Sequence, residues 1–396
     1  MFDIERQLRR WEKRGFLRIL RTLEQAAKPV TIIEGKEMLL FSSNNYLGYT
    51  TDERLQREAI KAIEKYGTGS GGSRLTTGNF SLHEALEKEI AQFKGKEAAL
   101  VFSSGYLANI GVISSLMKRG DIILSDEWNH ASIVDGCALS KAETIVYKHV
   151  NMDDLERKLQ QAMVKKSRNG RIFIVTDGVF SMDGDMAPLV DIVHLSKKYD
   201  AFVMVDDAHG TGVIGETGAG TAEYFGVTEE IDLHVGTLSK AIGGEGGYVA
   251  ASNTLIRYFH HQARSFIFQT SLSPAMVATA LTAIQLLPKE TRKRNHLMDL
   301  TYRLREGLTK ANFIISPVDD PTPITSVILG DAKKAVLFSK KLADFGMYAP
   351  AIRPPTVPLG KSRIRITLMA THTEAQVDQL IHAFRTIGQE MEEVFS

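Results

Sequence analysis

In the stretch HVGTLSKAIGGEGGYVAA a lone lysine, Lys240, closes an apolar run and stands among small residues ahead of two glycine pairs. A surface lysine ordinarily keeps polar company, because its ammonium is strongly hydrated and its stem needs no special backbone. An amine set among glycines suits chemistry against a bulky partner, which only a backbone without Cβ lets near. Such an amine can condense with an aldehyde or act as a base.

Carboxylates and imidazoles stand at comparable places. Asp177 follows RIFIV, and Asp206 follows AFVMV with Asp207 and His209 just beyond it. These residue types also bind metals, yet no H-E-x-x-H or similar third-ligand motif accompanies them, so no metal is expected. A carboxylate held at a strand end has another use, since an adjacent negative charge keeps a heterocyclic nitrogen protonated. FSSGYLANIGVISSL puts Ser103, Ser104 and Gly105 before a helix beginning near Tyr106, an anion site in the making, although Ser and Gly are also ordinary caps. His130 in EWNHASIVDG lies near another helix start, where a histidine is more often structural than catalytic.

Two GxGxxG patterns fail as dinucleotide sites. GTGSGG follows the helical pattern LQREAIKAIEKY where a strand is required. GTGVIG follows a strand, but ETGAGTAEYFG after it is not expected to form the helix that would hold a pyrophosphate. A lysine for an imine, an aspartate for a ring nitrogen, a helix start for a phosphate and a histidine to stack on a ring instead define pyridoxal 5′-phosphate (PLP).

The elements that must position these groups are legible as alternation. From about residue 98 to 251, DIILSD, ETIVYKHV, RIFIVTDG, AFVMVDDAH, DLHVGT and GGYVAAS read as strands. Between them, Met152, Leu155, Leu159 and Met163 make one apolar helix stripe, and Pro188 opens a helix carrying Leu189, Ile192, Val193 and Leu195. Runs apolar on both faces indicate a mostly parallel sheet covered by helices, with ligands at the carboxyl ends of its strands. Beyond Pro288, PITSVILG, a helix through AKKAVLFSKKLADFG, then MYAPAI, SRIRITLMA and a closing helix read as a smaller α+β domain.

The totals bound the partners. Among 396 residues, 48 basic and 47 acidic side chains leave no field that would steer the chain to nucleic acid or an anionic membrane. The single cysteine, Cys137, excludes an intrachain disulfide and fits a cytoplasmic protein. MFDIERQLRRWEKRG lacks the apolar core of a signal peptide, and Ile4, Leu8 and Trp11 predict a docked amphipathic helix. No stretch approaches the ~20 apolar residues of a membrane span.

FSSNNYLG, GTGSGGSRLTTGN, FSSGYLAN, NHAS, DGVFSMDGD, VDDAHGTGVIG, GTLSKAIGGEGG and APAIRPPTVP occur in this order between residues 41 and 358. Together they resemble the α-oxoamine synthases, PLP enzymes of fold-type I. The resemblance implies an α/β transferase fold, with residues 1–50 as N-terminal helix and arm, 51–287 as a PLP-binding α/β domain and 288–396 as a C-terminal α+β domain. It implies that Lys240 binds the cofactor covalently, that Asp206 faces the pyridine nitrogen, and that His130 stacks on the ring. His209 and Ser181 then lie near the ring hydroxyl. Gly105, Tyr106, Thr237 and Ser239 hold the phosphate, which the partner subunit's Thr270 also reaches in a homodimer with shared sites. Asn44 and Arg353 match positions that meet the amino-acid carboxylate, and Arg18 and Thr356 match positions nearer an acyl chain.

Within the family, GGSRLTTGN and APAIRPPTVP are most similar to the biotin-pathway branch, which implies an acyltransferase joining L-alanine to a pimeloyl thioester of coenzyme A (pimeloyl-CoA) or of a carrier protein. Asp177, where many members have Glu, is similar instead to the ligases that use glycine and acetyl-CoA, and keeps that pair as the alternative. A non-catalytic PLP-binding sensor is expected to be joined to a further functional module, and none is recognised along this sequence.

Overall fold

The apolar runs become strands because each is bounded by turn residues and flanked by helices that cover it. The computed structural model describes residues 3–14, 16–317 and 319–395. Two compact units account for the chain, one of residues 47–181 and 186–294, the other of residues 1–46, 182–185 and 295–396.

The larger unit holds a seven-stranded sheet in the order Ala98–Phe102, Gly247–Ala251, Leu233–Thr237, Ala201–Asp206, Ile172–Asp177, Ile122–Asp126, Glu143–Tyr147. Only Gly247–Ala251 runs antiparallel to its neighbours. Every residue of Ile172–Asp177 is buried, as two-sided coverage requires. Phe173 and Val175 join a cluster with Ala108, Val112 and Phe259. Ile172 and Ile174 join another with Leu155, Leu159 and Ile192. This alternation is the period-two signature of a strand with helices on both faces.

One expectation needs correction here. On the helix Met152–Lys165 the buried stripe is Leu155, Leu159 and Ala162, while Met163 is 46% exposed. The i, i+4, i+7 set follows the helical period, and position i+8 rotates past the contact. A four-residue helix, Thr221–Tyr224, also forms within ETGAGTAEYFG.

Beneath the end of Ala201–Asp206 lies a buried ion pair. Lys94 Nζ donates to Asp207 Oδ2 at 3.2 Å, Thr211 Oγ1 at 2.9 Å and the Ala219 carbonyl at 2.5 Å. Asp207 Oδ1 accepts from Thr221 Oγ1 at 2.9 Å. Asp207 is thereby committed to the sheet's support. Lys94→Met strands a buried carboxylate, and urea denaturation is expected to show a loss of about 3–5 kcal/mol, partly recovered in Lys94→Met/Asp207→Leu.

The smaller unit contains an antiparallel sheet in the order Ile315–Ser316, Ile324–Gly330, Ser362–Thr367, Ala351–Ile352. A second sheet joins Val30–Ile33, Lys36–Leu40 and Met347–Tyr348, the last pair parallel, which ties the first 46 residues to the C-terminal part. The helix Glu374–Phe395 contributes Phe384 to an aromatic trio with Phe313 and Phe338. At the N-terminus, Ile4–Lys13 is helical with Asp3 as cap, but none of its residues is buried. The amphipathic helix forms as expected, and its Ile4, Leu8, Trp11 stripe is exposed rather than docked within this chain. Three apolar side chains among charged ones bury too little to hold it down. Among the described residues no helix is long and apolar enough to cross a membrane.

Candidate active site

Parallel register brings the polar ends of the strands side by side. Asp177 pairs with Asp206 across adjacent strands, and both are buried. Asp206 Oδ2 accepts from Asn109 Nδ2 at 2.6 Å, and Oδ1 from the Ala208 N–H at 3.0 Å. Asp177 Oδ2 accepts the His130 backbone N–H at 2.7 Å. Burial, and then the neighbouring Asp206 charge, push the Asp177 carboxyl well above the usual carboxylate range.

The expected helix start is realised in Gly105–Leu116, capped by Ser104, whose Oγ accepts from the Leu107 N–H at 3.1 Å. As the first two helical residues, Gly105 and Tyr106 present N–H groups that have no acceptor within the helix. Thr237 lies against this turn: a Cβ added to Gly105 would sit 3.2 Å from Thr237 Cβ. Thr237 Oγ1 bonds Ser239 Oγ at 2.7 Å and the Gly246 carbonyl at 2.9 Å. A Cβ added to Gly247 would lie 2.4 Å from the Gly105 nitrogen. Gly247→Ala therefore displaces the helix start. We expect a loss of about 1–3 kcal/mol in stability together with weaker PLP retention, measured by thermal unfolding and equilibrium dialysis.

Lys240 follows the same strand, Leu233–Thr237, and is half-buried. The chain then reverses, the Gly243 N–H donating to the Lys240 carbonyl at 2.9 Å. Gly243 has φ +72°, and a Cβ there would meet Tyr49 Cβ at 2.8 Å and the Thr50 nitrogen at 2.9 Å. Glycine is required for both reasons. The Lys240 ammonium acts on both neighbours, lowering the His130 imidazole and opposing the rise at Asp177. For His130 desolvation is the larger cause, although the residue is solvent-exposed.

His130 caps the helix Ala131–Leu139. His209 is buried and Ser181 half-buried. The Tyr106 hydroxyl donates to Asp135 Oδ2. Thr270 is exposed, and its backbone pairs with Ser73 of its own chain. The structure thus gathers Lys240, Asp206, His130, Gly105, Thr237 and Ser239 around the carboxyl ends of one sheet.

In the smaller unit, Asn44 Oδ1 accepts from the Tyr46 hydroxyl at 3.2 Å and from Arg365 Nη2 at 3.3 Å. Arg353 is half-buried in a turn closed by the Thr356 N–H at 3.1 Å, with Thr356 itself exposed. Arg18 is exposed and lies outside any helix or strand.

Sequence reasoning missed Asn109, Ser132 and Arg365. Asn109 stands four residues after Gly105, one turn down the same helix face, and that spacing is the signal that was available. Arg365 stands inside SRIRIT with no pattern to single it out. Among the described residues no group of three or more His, Cys, Asp or Glu side chains is arranged to hold a metal ion.

A mostly parallel sheet with a capped helix start, a carboxylate and a lysine loop at its carboxyl ends has the plan of a fold-type I PLP transferase. A profile of the family described as aminotransferase class I and II matches residues 36–384. The chain is 56% identical over 386 residues to the 8-amino-7-oxononanoate synthase of Lysinibacillus sphaericus, covering 98% of each. A serine palmitoyltransferase solved with PLP superposes with a TM-score of 0.93 at 34% identity, covering 98% of this chain and 97% of that one. The 8-amino-7-oxononanoate synthase structure from Francisella tularensis gives a TM-score of 0.77 at 27% identity, over 90% of this chain and 99% of that one. The chain belongs to the aminotransferase class I and II family and, within it, to the α-oxoamine synthases. It is an enzyme of acyltransferase type, and its cofactor is PLP. The residues present fit such a group: Gly105 and Tyr106 open a helix with N–H groups that lack an intrahelical acceptor, as a phosphate would need, and Asp206 is a buried carboxylate of the kind that would keep a ring nitrogen protonated.

Proposed function

We propose that the chain condenses L-alanine with a pimeloyl thioester, releasing carbon dioxide and the thiol, to give 8-amino-7-oxononanoate for biotin biosynthesis. The observation that carries this reading is the 56% identity, over 98% of both chains, to a protein named for that product. A bond forms between the alanine α-carbon and the thioester carbonyl carbon as the thiol leaves. The alanine carboxyl departs as carbon dioxide, and a proton returns to the α-carbon. When bound, PLP supplies the electron sink that makes the α-carbon nucleophilic.

The chain's own residues do the rest. Lys240 Nζ takes the alanine α-proton and returns one to the same carbon. Asp206 holds a proton on the ring nitrogen by its charge. His130 orients the ring, and His209 and Ser181 hold its hydroxyl. Gly105 and Tyr106 N–H groups, with Thr237 and Ser239, bind the phosphate. Asn44 and Arg353 take the amino-acid carboxylate, and Arg18 and Thr356 the acyl chain. A cytoplasmic homodimer belongs to the same proposal, with the partner subunit's Thr270 at the phosphate.

Specificity ratios test the reading. The wild type should use L-alanine with pimeloyl-CoA in preference to glycine with acetyl-CoA. Arg18→Ala should lower kcat/KM for the pimeloyl donor by about 10–100-fold, the loss of one charge-assisted contact to its distal carboxylate, and spare an uncharged acyl donor of similar length. Preference for the glycine pair, with no donor discrimination by Arg18→Ala, would overturn the substrate assignment.

A further inference from the structure

A chain of hydrogen bonds runs from Asp206 to the His130 ring. Asn109 Nδ2 donates to Asp206 Oδ2 at 2.6 Å and to Ser132 Oγ at 2.8 Å. Ser132 Oγ is 2.7 Å from His130 Nδ1. The Ser132 backbone N–H also points at His130 Nδ1, at 3.3 Å. Asn109 and Ser132 are each 1% exposed, so these partners are not exchanged for water.

Proton counting then fixes each orientation. A carboxylate only accepts, so Asp206 sets which end of the Asn109 amide is NH₂. A backbone N–H only donates, so His130 Nδ1 is an acceptor and carries no hydrogen. The Ser132 hydroxyl, already accepting from Asn109, must turn its own hydrogen to Nδ1.

We propose that Asn109 and Ser132 are positioning residues that lock His130 as the neutral imidazole with its proton on Nε2, using Asp206 as the fixed anchor. Four charged or titratable groups face His130: Asp206 and Asp135, which favour its protonation, Lys240, which opposes it, and Asp177, which holds its backbone N–H. Protonating Nδ1 requires breaking two donated hydrogen bonds, which decides the balance against the cation. The direction agrees with the lowered imidazole.

The device matters for the reaction as proposed above, on which its functional sense rests. Asp206 keeps the cofactor ring cationic, and an imidazolium stacked on that ring would set two cations face to face. One carboxylate thus keeps a proton on the ring and, through two side chains, keeps one off the histidine.

The test is NMR of holoenzyme labelled with ¹³C- and ¹⁵N-histidine, with the His130 signals assigned by their loss in His130→Gln. In wild type, Nδ1 should show the shift of an unprotonated ring nitrogen, and the His130 midpoint should lie below that of an ordinary histidine. In Ser132→Ala the midpoint should rise toward the ordinary ~6.5, and Ser132→Thr, which keeps the hydroxyl, should restore the wild-type behaviour. A protonated Nδ1 in wild type overturns the proposal without recourse to any Ser132 variant. So does a Ser132→Ala protein whose His130 keeps the wild-type midpoint. The readout needs no substrate, so a failed alanine and pimeloyl-CoA assay leaves it standing, and its own failure leaves that assay standing.

Discussion

Lys240→Ala is expected to fold, to bind PLP only reversibly, and to lose about 10⁴-fold in kcat, the upper range for removing a positioned acid and base. The fold should survive because Lys240 lies in a loop after the strand, half-buried, and the turn that follows is held by backbone bonds and by Gly243. The proton transfer has no evident substitute. Two cations of the larger unit with buried or nearly buried side chains are engaged elsewhere: Lys94 lies beneath the strand end with Asp207, and Arg74 pairs with Glu87 at 2.8 Å. Partial rescue by a small primary amine added to the assay would be the sign that an amine base, not a structural prop, was lost. A variant within about tenfold of wild type would mean that another group moves the α-proton.

The second large effect is expected from Asp206→Asn. The amide keeps the shape and can still be satisfied, because Asn109 has a buried Oδ1 with no hydrogen-bond partner in this structure. Turning the Asn109 amide over would bring that oxygen to the new NH₂ group, so stability should change little. The charge, however, is gone, and nothing then holds the ring nitrogen protonated. Exchange of the alanine α-proton in D₂O should fall by about 10²–10³-fold, the loss typical of removing one electrostatic stabiliser from an active site. The turned amide would also withdraw its donor from Ser132, so this variant should share the His130 titration expected of Ser132→Ala. Exchange at the wild-type rate would refute the role given to Asp206.

The sheet was legible because its central strands are buried on both faces over most of their length, Phe202 excepted, so that RIFIV and AFVMV read as apolar runs and end at Asp177 and Asp206. The helix start at Gly105 and the position of His130 before Ala131–Leu139 followed from cap residues alone. Other elements left weaker marks. The helix Thr291–Lys310, TRKRNHLMDLTYRLREGLTK, carries charges through its apolar face and passed unread. The pairing of Lys36–Leu40 with Met347–Tyr348 joins residues some three hundred positions apart, which no local pattern announces. Asn109 and Ser132 were hidden for a related reason: each is an ordinary helix residue in sequence, and only the approach of two helices and a strand end makes them a relay. Arg18 and Thr356 came from the family resemblance and not from any local signal.

The most direct measurement of the central claim is chemical. Borohydride reduction of the purified holoenzyme, followed by proteolysis and mass mapping, should place the reduced pyridoxyl group on the peptide GTLSKAIGGEGG, at Lys240, with the other lysines unlabelled. A label on any other lysine, Lys94 included, or no covalent label on a protein that has bound PLP, would contradict the assignment of Lys240 and of the site built around it.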